Sequence, residues 1–256
     1  MPRKVEVVIE VEASADQVWR AISEPQEIAG WFAPEVSVEP GAGGSITCGW
    51  DADMKYTTPI TIWEPGKHLQ TASDRVKDGE TFHIAIDYFI ETEKGVTRLR
   101  LVHSGVGDSA DWDNEIGGYE DGWAMFMAML AHRLRHPDWP VRQATVFRMI
   151  PVPRAEAWAR LTGPDGLIQL HGDGHFGVNG TEGNVEFLKP NFFRGIIPQW
   201  DDALLNLFCE AGGNVSMITV ALMLFGASVD QAPTRRAEWG VILDRLFPDP
   251  ARESSS

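Results

Sequence analysis

The sequence predicts an α+β fold of two related domains in tandem, with a curved antiparallel sheet around a long C-terminal helix. Three observations carry that expectation. Between Asp113 and His136, the residues Ile116, Tyr119, Trp123, Phe126, Leu130 and Leu134 recur every three or four positions. That spacing makes one apolar stripe along a helix of about five turns. Upstream, Phe82, Ile84, Ile86, Tyr88 and Ile90 alternate strictly, as one face of a strand does. Beyond His136 a shorter version of the same strand-then-helix ending closes the chain.

Val5, Val7, Ile9 and Val11 alternate with Glu6, Glu10 and Glu12, a strand with one wet face. Ser14 then precedes a helix with Gln17 at the capping-box position; Val18, Trp19 and Ile22 face inward, and Pro25 is expected to stop it. A second short turn presents Ile28, Trp31 and Phe32. Pro40-Gly41-Ala42-Gly43-Gly44 predicts a hairpin between strands at 36–38 and 46–50, and Glu64-Pro65-Gly66-Lys67 another between 60–63 and 69–72. The strand of Tyr88 turns at Glu93-Lys94-Gly95 and pairs with 97–103, and residues 104–112 are expected to be a loop.

His136-Pro137-Asp138-Trp139-Pro140 is a breaker, so the expected organisation is a first domain at 1–136, a linker at 137–140, a second domain at 141–250 and a disordered tail at 251–256. In the second half, a strand at 145–150 leads to a helix with Trp158, ended by Pro164. Val185-Glu186-Phe187-Leu188-Lys189-Pro190 echoes Ile60-Thr61-Ile62-Trp63-Glu64-Pro65, and Glu238-Trp239 is expected to open the last helix. The offset between matching residues falls from 139 (Trp19 to Trp158) to 125 (Pro65 to Pro190), so the second domain is expected to be the reduced copy.

Of 256 residues, 43% are hydrophobic and 10% aromatic, which suits globular domains with cores. The formal charge of −15 argues against nucleic acid and anionic membrane surfaces as partners, and favours neutral or apolar cargo. Two cysteines, Cys48 and Cys209, make no disulfide framework. The first residues lack the apolar core of a signal peptide, and no stretch reaches the roughly 18 apolar residues that span a bilayer. The apolar run at 218–225 reads as a buried strand, and the expected location is cytoplasmic, without membrane insertion.

The first half resembles the helix-grip superfamily, also called START-like, birch-pollen-allergen-like or SRPBCC. Within it the resemblance is to the family named after the C-terminal domain of the heat-shock protein 90 ATPase activator. The residues that carry it are Ala13-Ser14-Ala15-Asp16-Gln17-Val18-Trp19-Arg20-Ala21 with Pro25, Trp31-Phe32, Gly43-Gly44 and Trp63-Glu64-Pro65. Leu99-Arg100-Leu101-Val102-His103-Ser104-Gly105 and Gly118-Tyr119-Glu120-Asp121-Gly122-Trp123 complete it. The resemblance implies a seven-stranded sheet wrapped around the long helix, with a cavity between them. Members of the superfamily bind lipids, polyketides, hormones and other apolar molecules; some are cyclases or aromatases, and the activator is a co-chaperone. Its chaperone-binding domain has no match in these residues. The expected partners are therefore a small apolar ligand first, and a homodimer or a chaperone second, with no cofactor.

The candidate ligand-binding residues are Trp31, Phe32, Trp50, Tyr88, His103, Tyr119, Trp123 and Phe126. Aromatic residues at such spacings are also ordinary core. His103, at the end of a strand whose Leu99 and Leu101 share a face, is the candidate general acid or base, and equally a hydrogen-bonded strand-end residue. Asp87, of opposite parity to Ile86 and Tyr88, is expected to face solvent, and Glu115 suits a helix start. His171-Gly172-Asp173-Gly174-His175 has two His and one Asp but no completing ligand, so no metal site is expected. The same glycines spell G-x-G-x-x-G, but residues 178–184 read as loop where a dinucleotide fingerprint needs a helix. Asn179-Gly180-Thr181 and Asn214-Val215-Ser216 are glycosylation sequons by letter only.

Overall fold

Each half of the chain builds a seven-stranded antiparallel sheet, and the two sheets share one strand order. The computed structural model describes residues 3–51, 54–107, 112–212 and 215–248, in two units, Met1–Asp138 and Trp139–Ser256. Residues 108–111 of the expected loop, the side chain of Glu115, Asn214 of the second sequon and the tail at 251–256 lie outside the described residues.

The first unit runs β1 (Arg3–Val11), α1 (Ala15–Ser23), α2 (Pro25–Trp31), β2 (Glu35–Glu39), β3 (Ser45–Asp51) and β4 (Met54–Glu64). It continues through β5 (His68–Lys77), β6 (Glu80–Glu93), β7 (Val96–Val106) and α3 (Asp113–Arg135). The sheet order is β1-β7-β6-β5-β4-β3-β2, so the first strand closes against the last and the remainder is a meander. Ser14 caps α1 with the reciprocal bonds of a capping box: Gln17 N donates to Ser14 Oγ at 3.2 Å, and Ser14 N to Gln17 Oε1 at 2.9 Å. Pro25 does not merely stop α1. It opens α2, where its missing N–H costs nothing and its fixed φ suits the first helical turn. The strand expected to end at 103 continues to Val106, because Gly105 at φ +86° brings its backbone against the His83 carbonyl, where a Cβ would lie 1.9 Å away.

The inner face of the sheet is legible from register. Leu69 faces Tyr88, Tyr88 faces Leu101, Ile86 faces His103, and His103 faces Val5. α3 packs along β1 and against α1 and α2. Its buried surface is wider than the single stripe: Met125, Met127, Met129, His132 and Arg133 are enclosed along with Trp123, Leu130 and Leu134. Arg133 lies in the last turn of α3. Its guanidinium binds the Glu27 carboxylate at 2.9 Å and the carbonyls of His136 and Pro137, so one buried cation satisfies the helix C-terminus and ties α3 to α2.

The second unit runs β8 (Val141–Ile150), α4 (Arg154–Leu161), β9 (Gln169–Leu170), β10 (His175–Val178), β11 (Thr181–Lys189), β12 (Phe192–Ile197), β13 (Ala203–Gly212), β14 (Val215–Phe225) and α5 (Ala232–Leu246). Its sheet order, β8-β14-β13-β12-β11-β10-β9, repeats the first. The shortening removes no strand: the counterpart of α2 is absent, and β9 and β10 are brief. Two local expectations are corrected. Residues 178–184 are not loop but a hairpin, in which Asn179 (φ 48°) and Gly180 (φ 73°) form a two-residue left-handed turn between Val178 and Thr181. α5 begins at Ala232, six residues before Glu238, with Pro233 in its first turn. The apolar run at 218–225 lies in β14 and is buried throughout. No helix among the described residues is long and apolar enough to cross a membrane.

Candidate functional site

The eight residues singled out in the first domain come from five elements, and the fold joins them through ring contacts. Phe32, just past α2, is the hub. Its ring centroid lies 5.4 Å from Trp31, 5.2 Å from Trp50 on β3, and 5.9 Å from Trp123, with which it is parallel, and 4.6 Å from Phe126. Trp123 in turn meets Phe126 at 6.2 Å, Tyr88 on β6 at 6.4 Å and His103 on β7 at 6.1 Å. Tyr119 packs on His103 at 4.5 Å. On α3, Tyr119, Trp123 and Phe126 are spaced i, i+4, i+7, which is why one helix face delivers all three to the sheet. These are the edge-to-face and offset arrangements that aromatic quadrupoles favour.

The polar atoms in this cluster are few, and several are used internally. The Trp31 indole N–H donates to the Ala21 carbonyl at 2.8 Å, which anchors that ring in the α1–α2 pair. The Trp123 indole N–H donates to His103 Nδ1 at 3.0 Å. Arg75 Nη1 donates to the Tyr119 hydroxyl at 2.9 Å, at the more exposed end. His103 Nε2 is buried and has no hydrogen-bond partner among the described residues.

Burial acts on every shifted group here in the same direction, toward the uncharged form. It pushes His103 down to about 4, so its ring is neutral at pH 7. It pushes the Cys48 thiol up to about 12, and raises the Tyr88 phenol, which a neighbouring Cys48 thiolate would raise further. Cys48 was not among the sequence candidates. It shares parity with Trp50 on β3, the signal that points it inward. The site therefore offers a neutral imidazole, a thiol and a phenol among apolar rings.

Asp87 does not face solvent. It is buried on the opposite sheet face, accepting from Gln70 Nε2 at 2.7 Å, with His68 Nε2 also 2.7 Å away. Phe89 lies between the His68 ring at 4.2 Å and the Arg100 guanidinium at 4.1 Å, so this outer face carries a small polar-aromatic layer. In the second domain, Asp173 Oδ1 accepts the His175 backbone N–H at 3.2 Å, and His171 Nε2 lies 3.6 Å from Glu182. No cluster of three or more His, Cys, Asp or Glu able to hold a metal occurs among the described residues.

Sheet order, long helix and the layer between them define a tandem pair of helix-grip domains, of the START-like or SRPBCC class. Residues 12–135, within the first domain, match the family described as Activator of Hsp90 ATPase homolog 1-like protein. A comparison with curated proteins finds no match. Among solved structures, similarity extends to protein MLL2253 from Mesorhizobium loti (22% identity, TM-score 0.45, 53% of this chain and 99% of that one). The Aha1 dimer from Colwellia psychrerythraea is also similar (18% identity, TM-score 0.46, 53% and 98%). The di-domain ARO/CYC BexL from the BE-7585A biosynthetic pathway is similar over 97% of this chain and all of its own (16% identity, TM-score 0.46).

Proposed function

We propose that the first domain binds a small, uncharged, largely apolar molecule between its sheet and α3. Phe32, Trp50, Tyr88, Trp123 and Phe126 are the wall, Trp31 the support behind Phe32, and His103 the polar anchor beside Tyr119. The observation that carries this reading is the union of a continuous aromatic cluster with titratable groups that burial holds neutral. Apolar walls with a few convergent polar atoms are what small-molecule sites are made of. The superfamily's habit of binding apolar molecules points the same way. A cyclase or dehydratase role would require His103 to take a proton near neutral pH, and an imidazole held at about 4 is a weak base there.

Native mass spectrometry of protein purified from its own host, before and after organic extraction, tests the reading. The expected result is a small molecule retained by the folded protein and lost with denaturation. Protein that is ligand-free throughout and binds no apolar probe in calorimetry would overturn it, and would leave a homodimer or chaperone contact as the role to pursue.

A further inference from the structure

We infer that the molecule bound by the first domain presents a neutral hydrogen-bond acceptor, a ketone or quinone oxygen, to the Nε2–H of His103. The inference rests on the binding reading above and adds the chemical class of the ligand's polar end. It begins with the tautomer. An indole N–H can only donate, so at 3.0 Å from Trp123 Nε1 the His103 Nδ1 is the acceptor nitrogen of the ring. A neutral imidazole with Nδ1 unprotonated carries its hydrogen on Nε2. That nitrogen is thereby a donor, and it cannot accept from a ligand hydroxyl or remove a ligand proton.

The donor is then left over. His103 is 5% exposed, and Nε2 meets no acceptor among the described residues. Buried donors without partners are rare, because each forfeits its hydration with nothing in return. The aromatic surroundings Tyr119 and Trp123 contribute ring faces and edges around the imidazole. An acceptor from outside the chain completes the arrangement. A carboxylate is a poor candidate: the imidazole is neutral, and burying an ionised group against rings costs far more than one hydrogen bond returns.

The second domain supplies an internal control. His103 lies two residues before Gly105, and Leu224 two residues before Gly226, both glycines having positive φ. Leu224 shares a core with Trp239, the counterpart of Trp123, and Trp239 Nε1 has no partner among the described residues. A Leu in place of the His is thus compatible with the fold.

The test uses the full chain and three naphthalene probes: 2-acetylnaphthalene, its hydrocarbon isostere 2-isopropenylnaphthalene, and 2-naphthoate. Calorimetry gives affinities, and long-range 1H–15N NMR follows the His103 Nε2 proton. The ketone should bind about tenfold tighter than the isostere, one added hydrogen bond, with naphthoate weakest. The Nε2 proton should move downfield only with the ketone. His103→Leu should bind ketone and isostere alike; should it not fold, Trp123→Phe, which releases the tautomer, should narrow the preference. Equal wild-type affinities with an unmoved Nε2 signal would overturn the acceptor inference and leave the binding reading standing. So would an Nε2 proton already in a hydrogen bond to water that every probe leaves in place. Failure of all three probes to bind would remove both.

Discussion

The first sheet sets Tyr88 and His103 against Trp123, while the second, with the same strand order, fills its interior with Leu205, Leu207, Val220, Leu222 and Leu224 around Trp239. One tryptophan N–H finds an imidazole; the other finds no acceptor among the described residues. One strand order therefore encloses two different interiors. The second interior is packed with aliphatic side chains and the Phe176–Phe193 pair. The second domain too buries polar atoms, at Asn206 and Trp239, without partners among the described residues. What sets the first apart is a linked ring cluster with an imidazole inside it. The same contrast appears at the helices: Phe32, the hub of the aromatic cluster, immediately follows α2, and the second domain has no counterpart of α2.

The largest expected effect separates packed core from candidate wall. Phe193→Ala, in the second core at 0% exposure and against Phe176 at 4.7 Å, should cost about 3–5 kcal/mol in denaturant unfolding. Phe32→Ala, half-buried at the hub, should cost about half as much. Equal losses would mean that the two interiors are packed alike and that the contrast is false.

Next comes pH. The His103 pKa is depressed in the folded chain, from 6.5 to about 4, so between those values the unfolded state binds the extra proton. Its contribution is fully present above pH 6.5, is lost as pH falls toward 4, and levels off below. The loss should be roughly 3 kcal/mol relative to His103→Leu, measured by urea unfolding across that window. Parallel pH profiles for wild type and variant would show that His103 is not held neutral by burial.

Transplanting the pair in the other direction should be costly. Leu224→His places an imidazole in the apolar core that also encloses Trp239, where a buried polar group loses its hydration. A loss of about 1–3 kcal/mol is expected. Gain of stability would show that the second domain is a ligand-binding interior awaiting one residue.

The smallest effect is at the thiols. Burial raises both Cys48 and Cys209, so at pH 8 neither should react with a thiol-specific disulfide reagent until the protein is denatured. Rapid labelling of Cys48 alone would place solvent, and not an apolar interior, beside Tyr88.

Several features of the site were readable one residue at a time. The i, i+4, i+7 spacing of Tyr119, Trp123 and Phe126 and the parity of Tyr88 and His103 each implied a common face, and the fold places all five in one cluster with Phe32. Asp87 shows where parity alone misleads. It does assign the residue to the outer face, but His68, Gln70, Phe89 and Arg100 converge there and bury it. Asn179-Gly180 shows a local signal with greater weight than its Gly-rich surroundings, since only its left-handed pair closes β10 on β11.

By itself the sequence determined the periodicities, the hairpin turns, the capping box at Ser14 and the internal repeat, because each depends on residues close together along the chain. Tertiary structure alone decided that Arg133 closes α3 onto Glu27, and that Trp123 fixes the His103 tautomer and leaves Nε2 without a partner among the described residues. Those are contacts between side chains 20 to 106 positions apart. Their geometry and desolvation exist only once the sheet has closed around the helix.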